Sequence, residues 1–393
     1  MKISDYVEKE KDYIVSLRRY FHSHPEESLK EFNTAKKIEE ELEKLNIEHE
    51  RVGETGVIGI IKGENASKRV IAIRADIDGL KITDLKKEDY KSKEEGYMHA
   101  CGHDGHTASL LGTAKILKEK ENILAGEVRL FFQQAEEIGK GAKIFIKEGY
   151  LEGVESILGI HVASDIDVGK AAILSGPRFA ACDYFKIKIK GRSAHVSNPH
   201  LSVDALYIAC QIVVNLQSIV SRQTNPIDTV VVGIGTMKAG TIYNAVAGEA
   251  VFEGTSRTFS TKSREHTNKS IRDIAENIGK MYNAEIEVEF EDNASALVND
   301  EKVTAELVEI AKEVIGIEEI ITNNYPKKLS ADDFADYVLK IPGAYIEVGS
   351  GNFKNYNTCV PHHNELFDID EEALLIATNL EVNYALSKLT HNW

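Results

Sequence analysis

Residues 98–107 read Met98-His99-Ala100-Cys101-Gly102-His103-Asp104-Gly105-His106-Thr107. Ten positions hold three histidines, a cysteine and an aspartate, so the stretch is dense in groups that bind metals. Cys101 and His103 stand two apart, the closest spacing at which side chains of an extended backbone point the same way. A thiolate beside an imidazole suits zinc or a related divalent ion. Gly102 and Gly105 are expected to let the backbone turn tightly enough for both ligands to reach one point. Two ligands do not close a site, so further donors have to come from elsewhere.

Upstream, Val70–Arg74 reads as a β-strand that runs into Ala-Asp-Ile-Asp-Gly, which puts Asp76 and Asp78 just past a strand end. That is where ligands bind in open α/β sheets, although acidic residues there also serve as plain turn formers. Another short β-rich run, 56–61, precedes it. The N-terminal stretch from Asp5 to Glu48 has helical spacing, with Ile14, Leu17, Tyr20 and Phe21 on one stripe and Ile38, Leu42 and Leu45 on another. His22 and His24 lie between these stripes beside Pro25, and read as exposed or capping groups near a helix end rather than ligands. Downstream, 107–120 reads as a helix and Val128–Phe132 as a buried strand followed by the pair Glu136-Glu137. A second apolar run, 157–160, ends at His161. Any one of these would pass for a turn or a structural histidine. Three strands in succession that each lead to metal-binding side chains make His161 and the Glu136-Glu137 pair credible members of one site.

Past residue 182 the texture changes. Tyr184–Lys190 alternates strictly, the mark of a strand with one wet face. A helix (203–220), strands (229–234 and 249–258), a charged helix (263–282) and a strand (284–290) follow. This β-α-β-β-α-β order is ferredoxin-like. Residues 183–294 therefore read as a domain inserted into an α/β domain made of 1–182 and 295–393. From Asp300 the α/β pattern resumes with a helix (301–315), a strand (344–348) and a last helix (370–389). His362 and His363 lie in the loop before that helix, and this reading alone does not choose between them.

At 393 residues the chain exceeds the size at which one core stops growing. The net charge of −16 argues against nucleic acid or an anionic membrane as partner. No apolar run reads as a membrane span and the start has no leader-like segment, so a cytoplasmic protein is expected. The four cysteines are too few and scattered for a disulfide framework. Cys182, Cys210 and Cys359 read as plain buried thiols.

Taken together, these motifs resemble the metal-dependent amidohydrolases related to carboxypeptidases: aminoacylases, hippurate hydrolases, indoleacetyl-amino-acid hydrolases and N-acetyl-diaminopimelate deacetylases. The resemblance runs from Leu-Arg-Arg-Tyr-Phe-His near residue 20 through Arg-Ala-Asp-Ile-Asp-Gly-Leu at 74–80 and the stretch at 98–107. It continues through Phe-Gln-Gln-Ala-Glu-Glu at 132–137, Gly-Ile-His at 159–161, Gly-Thr-Ser-Arg at 254–257 and Phe-Asp-Ile-Asp-Glu near 370. It implies an α/β catalytic domain of metallopeptidase type with an inserted α+β lid and dimerisation domain, and hence a homodimer. It also implies two divalent ions per subunit (zinc, manganese, cobalt or nickel) on Cys101, His103, Glu137, His161 and His363. The family histidine lies four residues before the late aromatic, here Phe367, and this spacing selects His363. Glu136 takes the place of the general base, and Asp78 that of the aspartate that orients a ligand. His195, Asn244 and Arg257 fall on substrate-binding positions.

The implied reaction is hydrolysis of the amide bond of an N-acyl amino acid by a hydroxide bridging the metals, with Glu136 shuttling the proton. A dipeptidase or carboxypeptidase of the same fold is the alternative. A dead scaffold and a closed structural zinc site are weaker rivals, because both lack a use for Glu136. The chain departs from the family's common pattern at Gln134, Ser193, Ala194 and Glu365. None of these is a ligand, but the lid loop with Ser193 and Ala194 and the late loop with Glu365 line the substrate side, so the resemblance does not carry over a specific acyl group.

Overall fold

In the computed structural model, which describes residues 2–63, 68–354 and 357–390, the chain divides into two compact units. The first comprises 1–176, 299–326 and 333–393, the second 177–298 and 327–332. The second is wider than the 183–294 read from texture. Its sheet is preceded by the strand Gly176–Phe179, which pairs with Leu297–Asn299, and Phe179 bridges to Lys328. Such pairings tie short, weakly patterned segments to the unit, and nothing in their local sequence announces them.

The first unit is built on an eight-stranded sheet. Its middle is parallel, in the order Glu127–Gln133, Val70–Asp76, Val154–Asp167 and Gly343–Gly351. Gly56–Lys62 and then Glu48–Val52 extend one side in antiparallel register. The parallel strands carry continuous apolar runs because helices cover both faces. Ile71, Ile73, Leu130, Phe132, Leu158, Ile160 and Ile346 all lie in the same buried cluster as Leu110, Leu111, Leu374 and Leu380 from helices His103–Glu119 and Glu372–Leu389. At about 25 cal/mol per Å² of apolar surface removed from water, this cluster supplies most of the unit's cohesion.

Two boundaries differ from expectation in ways that matter for the site. The helix expected from Thr107 starts at His103, and the strand expected to end at His161 continues to Asp167. Polar residues at both places masked the regular backbone: those at the helix start serve the site and its supports, and on the strand Asp165 and Asp167 accept from the Tyr325 hydroxyl and the Phe353 N–H. Of the two N-terminal histidines, His24 caps the helix Lys11–Ser23 as expected, with Nδ1 2.7 Å from the Tyr20 carbonyl, and His22 differs. His22 is fully buried, with Nδ1 2.7 Å from Asp104 Oδ2. Of the three cysteines expected to be buried, Cys182 is, whereas Cys210 is exposed and Cys359 half-buried.

The second unit holds strands Ala181–Lys190, Val230–Ala239, Glu249–Thr258 and Glu285–Ala294 in one antiparallel sheet. The spatial order, last-first-third-second, is that of a ferredoxin-like fold. Helices Ala205–Ser218 and Thr261–Met281 cover one face, with Ile208, Ile212, Leu216, Ile271 and Ala275 packed on Phe185, Ile187 and Phe252. No membrane-length run was expected, yet Ala205–Gln223 reaches 19 residues at mean hydropathy 1.2. The reason is that its outward face also carries aliphatic groups, Leu206, Val214 and Val220.

Candidate metal centre

The parallel strands of the first unit deliver the chemistry-bearing side chains at or just beyond their carboxyl ends, the usual place for a site in such a sheet. Asp76 ends one strand, with Asp78 just beyond it, and Glu136-Glu137 lie in the turn after another. His161 projects from within a third. Cys101 and His103 flank the start of a helix, so their convergence does not come from an extended backbone. Gly102 makes it possible, with φ +95° as the residue before the helix. A Cβ there would lie 2.4 Å from Val162 Cγ2, which excludes any larger residue. Gly105 has a different role from the turn expected of it. It lies inside the helix, where a Cβ would press on Leu374 and Ile369 at 2.9 and 3.0 Å.

Six side chains converge in three overlapping groups, and within each group the potential ligand atoms lie within 4.8 Å of one another: Cys101 with His103 and His161, Cys101 with Glu137 and His363, and His103 with Glu136 and Glu137. Cys101 Sγ is 3.5 Å from His161 Nε2. Glu137 Oε1 lies 3.8 Å from His103 Nε2 and 3.6 Å from His363 Nε2. Glu136 Oε2 is 4.0 Å from the same His103 nitrogen.

Two of the three imidazoles are aimed by their other nitrogen. His103 Nδ1 sits 2.9 Å from the Asp78 carbonyl and 3.2 Å from its Oδ1. His161 Nδ1 lies 2.6 Å from the carbonyl of Val162. His363 is placed by its backbone, which donates to the Ala100 carbonyl at 2.8 Å and takes φ +63°. The neighbouring His362 turns elsewhere. Its Nδ1 lies 3.2 Å from the Cys101 carbonyl, its Nε2 accepts from Ser164 N–H at 3.4 Å, and its ring packs on Phe367.

Electrostatics fit a site that wants a cation. Burial disfavours charge on His103, yet the Asp76 and Asp78 carboxylates hold its pKa well above the usual range. Burial, together with Asp78 and Asp76 and against the pull of His103, pushes Glu137 up to about 7. Among the described residues, the buried atoms His103 Nε2 and Glu137 Oε1 make no hydrogen bond. With Nδ1–H turned to the Asp78 carbonyl, Nε2 presents a lone pair as Glu137 Oε1 does, and these two orphaned buried atoms, beside a thiol and two more imidazoles, form a donor set of N, O and S atoms that fits zinc and its neighbours.

Three groups close by have structural work that the sequence did not disclose. Asp76 and His106 also form a group with His103, but Asp76 Oδ1 is 2.6 Å from His106 Nδ1 and its Oδ2 is held by Arg74 at 2.5 Å. His106 Nε2 then accepts the N–H of Val162 at 3.0 Å, fixing the strand beside His161. Asp104 bonds to fully buried Arg18 at 2.9 Å and to His22, behind the cluster. His106 and Asp104 stand in the quoted stretch, so composition marked them but could not say which way they face.

His195, Asn244 and Arg257 lie in the second unit. His195 is exposed and pairs with Ser197 Oγ at 2.6 Å. Its loop adjoins that of Asn244, through a bridge from His195 to Ala245 and a bond from Val196 N–H to the Asn244 carbonyl at 3.2 Å. Arg257 is half-buried on the strand Glu249–Thr258, opposite Cys182 and Val231.

The description "Peptidase family M20/M25/M40" matches residues 72–387. A thermostable carboxypeptidase of Saccharolobus solfataricus is 38% identical over 95% of this chain and 94% of its own length. An N-acetylcysteine deacetylase of Bacillus subtilis is 39% identical over 93% of this chain and 94% of its own. Among solved structures, a Bacillus subtilis protein described as a dinuclear metal binding peptidase superposes with a TM-score of 0.83. It is 35% identical, and the match covers 97% of this chain and 99% of that one.

Proposed function

The chain belongs to the peptidase family M20/M25/M40, and from that premise we propose that it hydrolyses the amide bond of N-acyl amino acids with two divalent metal ions. The observation that carries this reading is the pair of orphaned atoms, His103 Nε2 and Glu137 Oε1, 3.8 Å apart with Glu136 alongside. Cys101, His103, Glu137, His161 and His363 hold the metals. When bound, the metals supply Lewis acidity that makes water a nucleophile near neutral pH and polarises a carbonyl. Glu136 accepts the proton of the attacking water and delivers it to the departing nitrogen as the C–N bond breaks, leaving a carboxylate and a free amino acid. Asp78 keeps His103 in the tautomer that presents Nε2.

His195, Asn244 and Arg257 serve substrate binding, with the Arg257 guanidinium matched to the free carboxylate of the amino acid. The subunits form a homodimer through the second unit, supported by the apolar outward face of the helix Ala205–Ser218, where Val214 is 69% exposed. The working compartment is the cytoplasm, a reading supported by the four sparse, scattered cysteines.

The carboxypeptidase relative favours a second substrate class, peptides cut at the C-terminal residue. A panel of N-acetyl, N-benzoyl and indoleacetyl amino acids beside dipeptides, with zinc, manganese, cobalt and nickel added in turn, separates the two. Turnover of the N-acyl compounds that stops on chelation and returns with metal, at constant far-UV circular dichroism, is expected. Full activity after verified metal removal, or turnover of dipeptides alone, would overturn the reading.

A further inference from the structure

We infer that Glu31 is a positioning residue that holds the turn at Ala135 and thereby presents Glu136 and Glu137. The inference rests on the roles given above to those two carboxylates. Ala135 is fully buried and has φ +56°, in the left-handed region that residues with a Cβ disfavour. A strained, buried turn persists only where its surroundings over-determine it. Here the fastening is Glu31, itself 0% exposed, whose Oε1 accepts the Ala135 N–H at 2.9 Å. Its Oε2 accepts the hydroxyl of Thr55 at 2.6 Å, so both oxygens are fixed.

Neighbouring bonds extend the brace on either side of the turn. Gln134 Nε2 donates to the Val52 carbonyl at 3.2 Å. The Glu137 N–H donates to Asp78 Oδ2 at 3.1 Å, and Ser28 Oγ donates to that same oxygen at 2.7 Å. Ser28 and Glu31 thus tie one short segment to both loops that carry the site. The segment is pinned in turn. Gly79 N–H donates to the Glu26 carbonyl at 2.7 Å, and the Glu26 carboxylate accepts the N–H of Thr34 at 2.8 Å in the helix Phe32–Lys44. A bland alternative is that Glu31 merely satisfies Thr55 in the core. That would give no reason for the second bond to fall on the one left-handed residue next to Glu136.

The test compares Glu31→Met with Glu31→Gln, which match in length and are both neutral but differ in whether an oxygen remains for Ala135. Two quantities are read on folded protein: kcat and KM for an N-acyl amino acid, and the affinity of the metal-free protein for zinc by calorimetry. Glu31→Met should lose roughly tenfold in both kcat and zinc affinity with little change in KM, the scale for groups that orient ligands. Glu31→Gln should recover most of that loss. Ala135→Gly added to Glu31→Met should also recover part of it, because glycine takes the left-handed turn without steric cost. Wild-type values in Glu31→Met, equal losses in the Met and Gln variants, or no recovery with Ala135→Gly would each overturn the proposal. If Glu31→Met does not fold, Thr55→Val carries the test. It loosens the far oxygen only, and unchanged kcat and zinc affinity there would overturn the proposal as well. Glu136→Gln is assayed in parallel. If it keeps wild-type turnover, the reading of the base fails, while the zinc affinities still judge Glu31.

Discussion

Asp78 and His103 are joined twice, for Nδ1 of the imidazole faces both the carbonyl oxygen of Asp78 at 2.9 Å and its Oδ1 at 3.2 Å. The remaining carboxylate oxygen holds the backbone of Glu137. One side chain therefore sets a ring and a carboxylate-bearing turn together. Asp78→Ala should lower zinc affinity and kcat by on the order of 10–100-fold, as loss of such partners usually does. Titration of the metal-free variant measures the first and steady-state assay the second. Wild-type affinity would mean that the carbonyl alone orients His103.

The two adjacent glutamates should separate by assay. Glu136→Gln should keep its metal and lose at least about a hundredfold in kcat, the usual scale for a general base. Glu137→Gln should lose metal, since Glu137 Oε1 is the atom that faces both His103 and His363. Metal analysis of the purified variants checks both, and the opposite pattern would reverse the assignment.

Away from the site, Glu381 is buried in the helix Glu372–Leu389, with Thr113 Oγ1 2.6 Å from its Oε2. Burial, eased only in part by that bond, pushes its pKa up to about 8 from 4.5. The folded state thus keeps a proton that the unfolded chain sheds, and this contribution to stability falls as pH rises from about 4.5 to about 8. Glu381→Gln removes the titration at constant shape. Denaturant melts should show the variant gaining on wild type across that window, by a few kcal/mol at most above pH 8. Parallel stability curves would show that Glu381 does not titrate there.

Arg257 gives a prediction about substrate. Arg257→Ala should slow hydrolysis of N-acyl amino acids and leave metal content unchanged. The C-terminal amide of the same substrate should be poor with wild type and lose little more with the variant. A folding defect would harm both substrates equally, so equal losses would remove the carboxylate clamp and reopen the substrate class towards neutral amides.

Much of the fold was legible because its signals are local. Continuous apolar runs such as Val128–Phe132 mark strands buried on both faces, and the alternation in 184–190 marks a strand with one wet face. The residue types of the site were equally plain, since cysteine, histidine and paired glutamates after successive strands have few other uses in one chain. Boundaries were less legible where function intrudes. Helix His103–Glu119 opens on site residues, and the strand through His161 runs on to Asp167, so the apolar pattern stops before the backbone does.

By itself, then, the sequence determined the order of elements, the two kinds of sheet and the side chains available for metal chemistry. Only tertiary structure decided how they are aimed. Whether His22 is exposed or buried against Asp104 depends on a helix that packs from far along the chain. That His106 serves the Val162 backbone, and His362 the Cys101 carbonyl, follows from contacts across 56 and 261 residues. The need for glycine at 105 comes from Leu374 and Ile369 near the other end of the chain. Local propensity encodes which elements form. The direction of a polar side chain is set by whichever distant donor or acceptor packing brings within reach, and no window of sequence contains that partner.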